Sequence, residues 1–134
     1  MKIDEIMVKK LESVEANAPV YDAIEKMVDR RIRSILVKPK DEKDVYGIVT
    51  MRDIVFKVIG KNLDPNKIKV EEIASKPVIS IDKDMDIDHV ISLMNKFNIA
   101  RVFIFEGKEI IGVASLFDIM SASLIERARG GHIA

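Results

Sequence analysis

Cysteine is absent from the 134 residues, which excludes disulfides, thiolate nucleophiles and cysteine metal sites outright. Tryptophan and glutamine are missing as well, and with 33% charged residues this composition suits a heat-adapted source. Net charge is absent too. The 22 basic and 22 acidic residues cancel, so no global field draws the chain toward nucleic acid or an anionic membrane, and any anion binding must be local. No apolar run approaches the roughly 20 residues that span a bilayer, and Met1 leads into Lys2, Asp4 and Glu5 with no apolar signal region. A soluble cytoplasmic protein without membrane contact is expected. What the chain does have is 48% hydrophobic residues, enough to bury a sizeable core.

It also has a repeat. Ile3-Asp4-Glu5-Ile6 returns 67 positions later as Val70-Glu71-Glu72-Ile73, and the same offset pairs Val14 with Ile81, Val20 with Ile87, Ile24 with Ile91, Met27 with Met94 and Ile32 with Ile99. Farther on the offset shrinks to 65, pairing Gly47 with Gly112, because Lys38–Val45 is a longer turn than Phe105–Glu109. Insertions collect in turns, which supports the alignment. The chain thus divides into two copies, 1–66 and 67–134, forming one paired module.

Within each copy the hydrophobic periods change in the same order. Val14, and Val78 to Ile81, mark short strands, each followed by an amphipathic helix over about Val20–Arg30 or Ile87–Lys96, with Pro19 at an early helical position. Ile35–Val37 and Val102–Phe105 predict a second strand, Val45–Val49 and Ile110–Ala114 a third, with Gly107 making the second copy's hairpin bend. A closing helix follows, Asp53–Ile59 or Phe117–Ala128. Each copy reads β-α-β-β-α, an α/β (α+β) fold. A unit of about 67 residues buries only around 60% of its unfolded surface, so the copies should pack on each other. The closing helices are apolar nearly all round, which predicts an isologous homodimer through about 53–59 and 117–128.

The closing turn carries the chemistry. GIVTMRDI (47–54) and GVASLFDI (112–119) each place a hydroxyl three residues before an aspartate, Thr50 with Asp53 and Ser115 with Asp118. The pattern matches a capping box, but Asp is shorter than the usual Glu or Gln, so the acid is expected to be left free. A strand turning straight into a helix exposes N–H groups and a positive dipole end, a ready phosphate cradle, and an aspartate beside it can accept two ribose hydroxyls.

With that motif at the end of each β-α-β-β-α copy, the chain resembles the CBS domain, named after cystathionine beta-synthase. The resemblance covers essentially the whole chain, which is similar to a stand-alone tandem CBS pair. It implies two pseudo-symmetric repeats packed through their sheets, two clefts binding adenosyl ligands such as AMP, ADP, ATP or S-adenosylmethionine, and a flat dimeric disc. It also implies ribose contacts from Asp53 and Asp118, with Thr50 and Ser115 near the phosphate or sugar. The family often places a basic residue or histidine before the second strand. The matching positions are Arg33-Ser34 and Ala100-Arg101, so Arg33 and Arg101 become phosphate candidates one position out of register, and the clefts become unequal. Phe117 replaces Arg52 in the second copy, so a phosphate contact from that position is expected in the first copy alone. For adenine the resemblance points to Leu11-Glu12 and Val78-Ile79, where backbone groups can read the base edge.

No enzyme, catalytic residue or metal site is expected. His89 on a predicted helix and His132 in a Gly-Gly tail have no partner placed by spacing. Asp82, Asp84, Asp86 and Asp88 lack the glycine and closing glutamate of an EF-hand loop and read as helix-start charge. The run Arg30-Arg31-x-Arg33 with Lys38 and Lys40 has no interleaved aromatics and is followed by Asp41, Glu42 and Asp44, a solvated edge rather than a nucleic-acid surface. The expected activity is a regulatory module that senses adenosine nucleotides, needs no cofactor, and is read by an effector protein in another chain. The alternatives are an adaptor whose dimeric disc docks a partner protein, and nucleic-acid binding through Arg30 to Lys40.

Overall fold

The computed structural model describes residues 1–128, with side chains through Ile125, so His132 lies outside the described residues. The first copy contains β1 (Ser13–Val14), α1 (Val20–Arg30), β2 (Ser34–Val37), β3 (Gly47–Thr50) and α2 (Met51–Lys57). The second repeats the order with β4 (Ser80–Asp82), α3 (Ile87–Phe97), β5 (Arg101–Glu106), β6 (Glu109–Ser115) and α4 (Leu116–Ala128). The strands form two three-stranded sheets, β1-β2-β3 and β4-β5-β6. In each the first pair is parallel and the second antiparallel. A parallel pair needs a crossover, which α1 and α3 supply, while the antiparallel pairs close through turns.

The helices sit where their apolar period places them. α1 buries Val20, Ala23 and Met27, and α3 buries Ile87, Val90 and Met94 at the matching positions. Both end in a left-handed residue, Arg31 at φ 55° and Asn98 at φ 52°, after which the Ile32 and Ile99 N–H groups donate back to the Met27 and Met94 carbonyls at 3.0 Å. Pro19 stands one residue before α1 rather than inside it, because its ψ of 149° is still extended while its φ of −67° suits either state. β3 starts at Gly47, leaving Val45 and Tyr46 in the loop, and α2 runs from Met51 to Lys57 rather than from Asp53 to Ile59. Ile59 instead belongs to a 3₁₀ turn, Ile59–Lys61, closed by left-handed Asn62. The β5–β6 hairpin turns on Gly107 at φ 60°.

The compact units are cut differently from the copies. One is Glu12–Val78; the other is Met1–Leu11 together with the chain from Ile79 onward. Each copy's lead-in, a 3₁₀ turn at Ile3–Glu5 or Val70–Glu72, therefore serves the core of the other copy's elements. Ile3 is fully buried in the cluster of Ile81, Val90, Met94 and Ile104. Val70 is fully buried with Val20, Met27 and Val49. The Ile3 N–H donates to the Met85 carbonyl at 2.9 Å and the Val70 N–H to the Ala18 carbonyl at 2.8 Å, so backbone bonds anchor both.

That exchange explains the motif glycines. The lead-ins run on beside the third strands, Val8 bridging to Val113 and Ser75 to Ile48. A Cβ on Gly112 would collide with Met7, whose Cγ would be 2.9 Å away. A Cβ on Gly47 would stand 3.2 Å from the Ser75 carbonyl oxygen. Each glycine is the point where another segment crosses the strand closely.

Candidate functional site

Strand and helix meet at Thr50, extended at φ −106° and ψ 162°, and α2 begins with the next residue. The hydroxyl of Thr50 accepts the Asp53 N–H at 3.1 Å, and Asp53 Oδ2 accepts both the Thr50 N–H at 2.9 Å and the Thr50 hydroxyl at 3.0 Å. At α4 the Asp118 N–H donates to the Ser115 hydroxyl at 3.1 Å, and Asp118 Oδ2 accepts the Ser115 N–H at 2.8 Å and the hydroxyl at 2.9 Å. Both capping boxes are closed. This corrects the expectation that the short acid is left free: the extended hydroxyl residue presents N–H and O–H side by side, close enough for Asp to reach with one oxygen. Whatever each aspartate does for a ligand rests chiefly on its other oxygen.

The copies diverge at that oxygen. Asp53 Oδ1 is 3.0 Å from the Lys57 ammonium, one turn along α2. Lys57 also donates to the Ile73 carbonyl at 3.4 Å. Burial pushes the Asp53 carboxyl up, but the Thr50 N–H, the Lys57 ammonium and the Thr50 hydroxyl together hold it below its ordinary value. Position 122, which matches Lys57 in the second copy, is a buried alanine. Lys57 was not singled out from the sequence, although its i,i+4 spacing from Asp53 was visible there.

Sheet register settles the arginine alignment. Ser34 pairs with Thr50 and Arg101 with Ser115, while the carbonyls of Arg33 and Ala100 accept the Met51 and Leu116 N–H groups at 2.8 and 3.0 Å. The structure thus brings Arg101 directly across from the Ser115 box, whereas Arg33 stands one residue before the strand and reaches α2 through its backbone. Arg52 lies over its own helix's Phe56 ring, 5.1 Å from the centroid. Leu11-Glu12 and Val78-Ile79 are the two places where the chain passes from one compact unit to the other. The Glu12 and Ile79 carbonyls accept the Leu36 and Phe103 N–H groups at 3.3 and 3.2 Å, and the Glu12 carboxylate pairs with Arg30 at 3.3 Å.

Two copies of one fold, each closing on this turn, are matched by a family model. The CBS domain model fits residues 3–60 and again 70–125. The chain belongs to the CBS domain family. An uncharacterized protein of Methanocaldococcus jannaschii is 31% identical over 118 residues, covering 86% of this chain, which spans 62% of that relative's length. Among solved structures, a hexameric CBS-CP12 protein from bloom-forming cyanobacteria has a TM-score of 0.77 at 32% identity, covering 94% of this chain and 74% of that one. The CBS domain pair of the protein MJ0100, in complex with 5′-methylthioadenosine and S-adenosyl-L-methionine, has a TM-score of 0.72 at 26% identity, covering 91% and 94%. A CBS pair is a regulatory module.

Elsewhere on this CBS pair the charges are spent locally. Lys38 and Lys40 pair with Glu15 and Glu71 at 3.6 and 3.3 Å, which with Arg30–Glu12 neutralises much of the basic edge. Asp82 accepts the Asp84 N–H at 2.9 Å, and Asp86 lies 3.4 Å from the Met1 ammonium. His89 is exposed on α3. Among the described residues no group of three or more metal-ligating side chains converges, and no helix is long and apolar enough to cross a membrane.

Proposed function

We propose that this CBS pair is a non-enzymatic sensor of adenosyl compounds, in which each strand-to-helix turn seats a ribose. Asp53 and Asp118 accept the vicinal hydroxyls, the helix starts offer N–H groups, and Arg33, Arg52 and Arg101 meet whatever phosphate the ligand carries. Leu11, Glu12, Val78 and Ile79 take the adenine edge. The carrying observation is the duplicated box, an acid fixed by its own helix cap and repeated at the same place in two copies. A neighbour of the same fold bound to two adenosyl compounds supports the ligand class. The ligand shifts the balance between two arrangements of the chain by its differential affinity for them, and a cytoplasmic effector protein reads the shift.

We propose further that the closing helices join two chains in a homodimer. Phe117 and Leu124 on α4 are 69% and 73% exposed, and Phe56 on α2 is 59% exposed. Burying each such side chain stabilises by about 1.5–3 kcal/mol, which makes their exposure on a monomer hard to account for.

Calorimetry with AMP, ADP, ATP and S-adenosylmethionine tests the ligand reading. Asp118→Ala should weaken binding about tenfold or more, because hydrogen bonds to a charged carboxylate are worth about 1.5–3 kcal/mol. Heat from none of the four, or unchanged affinity in both Asp53→Ala and Asp118→Ala, rejects it. A second reading follows from the closed boxes themselves: if their only task is capping, the module is an adaptor, and a chain carrying both Asp53→Ala and Asp118→Ala retains its partner protein in a pull-down.

A further inference from the structure

We infer that Lys57 makes the two seats unequal by holding Asp53, so that the second copy, around Ser115 and Asp118, takes the adenosyl ligand first; this rests on the ribose-binding reading above. In the first copy Oδ2 of Asp53 already accepts from the Thr50 N–H and hydroxyl, and Oδ1 faces the Lys57 ammonium at 3.0 Å. The ammonium is held twice, since it also donates to the Ile73 carbonyl at 3.4 Å. A sugar diol entering here must displace it. In the second copy the matching position is Ala122, whose methyl group donates nothing, and the three residues between it and Asp118, Ile119, Met120 and Ser121, carry no charge. A diol reaching Asp118 meets no competing ammonium from its own helix at that position.

Magnitude decides between blocking and handicapping. The Lys57 side chain is 48% exposed and its charge is screened, while the Asp53 side chain is only 15% exposed. The pair falls between a surface ion pair and a hydrogen bond to a covered charge, which corresponds to roughly three- to tenfold in affinity rather than exclusion. The first seat is weakened, not closed.

The test uses 5′-methylthioadenosine, which is uncharged, so that no ligand phosphate is drawn to Lys57. Calorimetry on the full chain should resolve a tighter and a weaker phase. Lys57→Met should tighten the weaker phase about three- to tenfold and leave the tighter one in place, with Lys57→Gln as a second neutral variant should the first fold poorly. Lys57→Arg, which keeps an ion pair, should leave both phases as they are, and adding Asp53→Asn to Lys57→Met should remove the gain. Two equal phases in the wild type, or a weaker phase that Lys57→Met does not move, overturns the inference while the ribose reading stands. If 2′,3′-dideoxyadenosine binds as well as adenosine, the ribose reading falls and this inference with it; no phase with 5′-methylthioadenosine overturns this inference alone.

Discussion

Asp44 shows what a single carboxylate does in this chain. Its Oδ1 lies 2.7 Å from the Lys76 ammonium, and its Oδ2 accepts the Lys40 N–H at 2.9 Å. The Lys76 hydrogen bond first, then the Lys40 and Val45 N–H groups, lower its pKa from 3.8 to about 2. Because the folded value lies below the unfolded one, the stabilisation is full above about pH 4 and is lost as pH falls through about 2. Asp53, also lowered, acts in the same direction. Asp44→Asn should therefore lower the melting temperature at pH 7 and flatten its decline between about pH 4 and 2. Melts followed by circular dichroism across that range check this, and a variant with the wild-type acid slope refutes it. The loop Lys38–Val45 was legible as an insertion, but its tie to Lys76 was not, because the two residues are 32 apart in sequence and only folding brings them together.

At the scale of elements, the glycine crossings are the sharpest determinant. Gly112 gives Met7 room to lie across β6, and a Cβ there would have to displace the Met7 side chain. Gly112→Ala should destabilise by about 1–3 kcal/mol through overpacking, and Met7→Ala in the same chain should return part of that loss. Denaturant unfolding of the two single variants and the double variant measures the coupling. Additive losses would show that the two residues do not meet. α1 and α3 were legible because one buried stripe at helical period is enough to define a helix. The limits of α2 were not, because its start is decided by a hydrogen bond from Asp53 to the Thr50 hydroxyl, and its end by a tightening into the Ile59–Lys61 turn. Nor was Asp's reach around the cap, which depends on the extended backbone of Thr50 rather than on side-chain length alone.

At the scale of the whole molecule, the proposed dimer concerns surfaces that one chain leaves exposed. Phe117→Glu combined with Leu124→Glu should convert a dimer into a monomer in sedimentation velocity, with the far-ultraviolet spectrum preserved, since neither side chain belongs to the buried core. A wild type that sediments as a monomer, or a double variant that remains dimeric, counts against it. By itself the sequence determined the duplication, the β-α-β-β-α order, the helix stripes and the paired hydroxyl-x-x-Asp turns, because these depend on residues close in the chain and on periods set by backbone geometry. Only the tertiary structure decided which core each lead-in completes, why the motif begins with glycine, and that Lys57 rather than solvent meets Asp53. Local periods say which face of an element is apolar; they do not say which apolar face, from how far along the chain, will come to cover it.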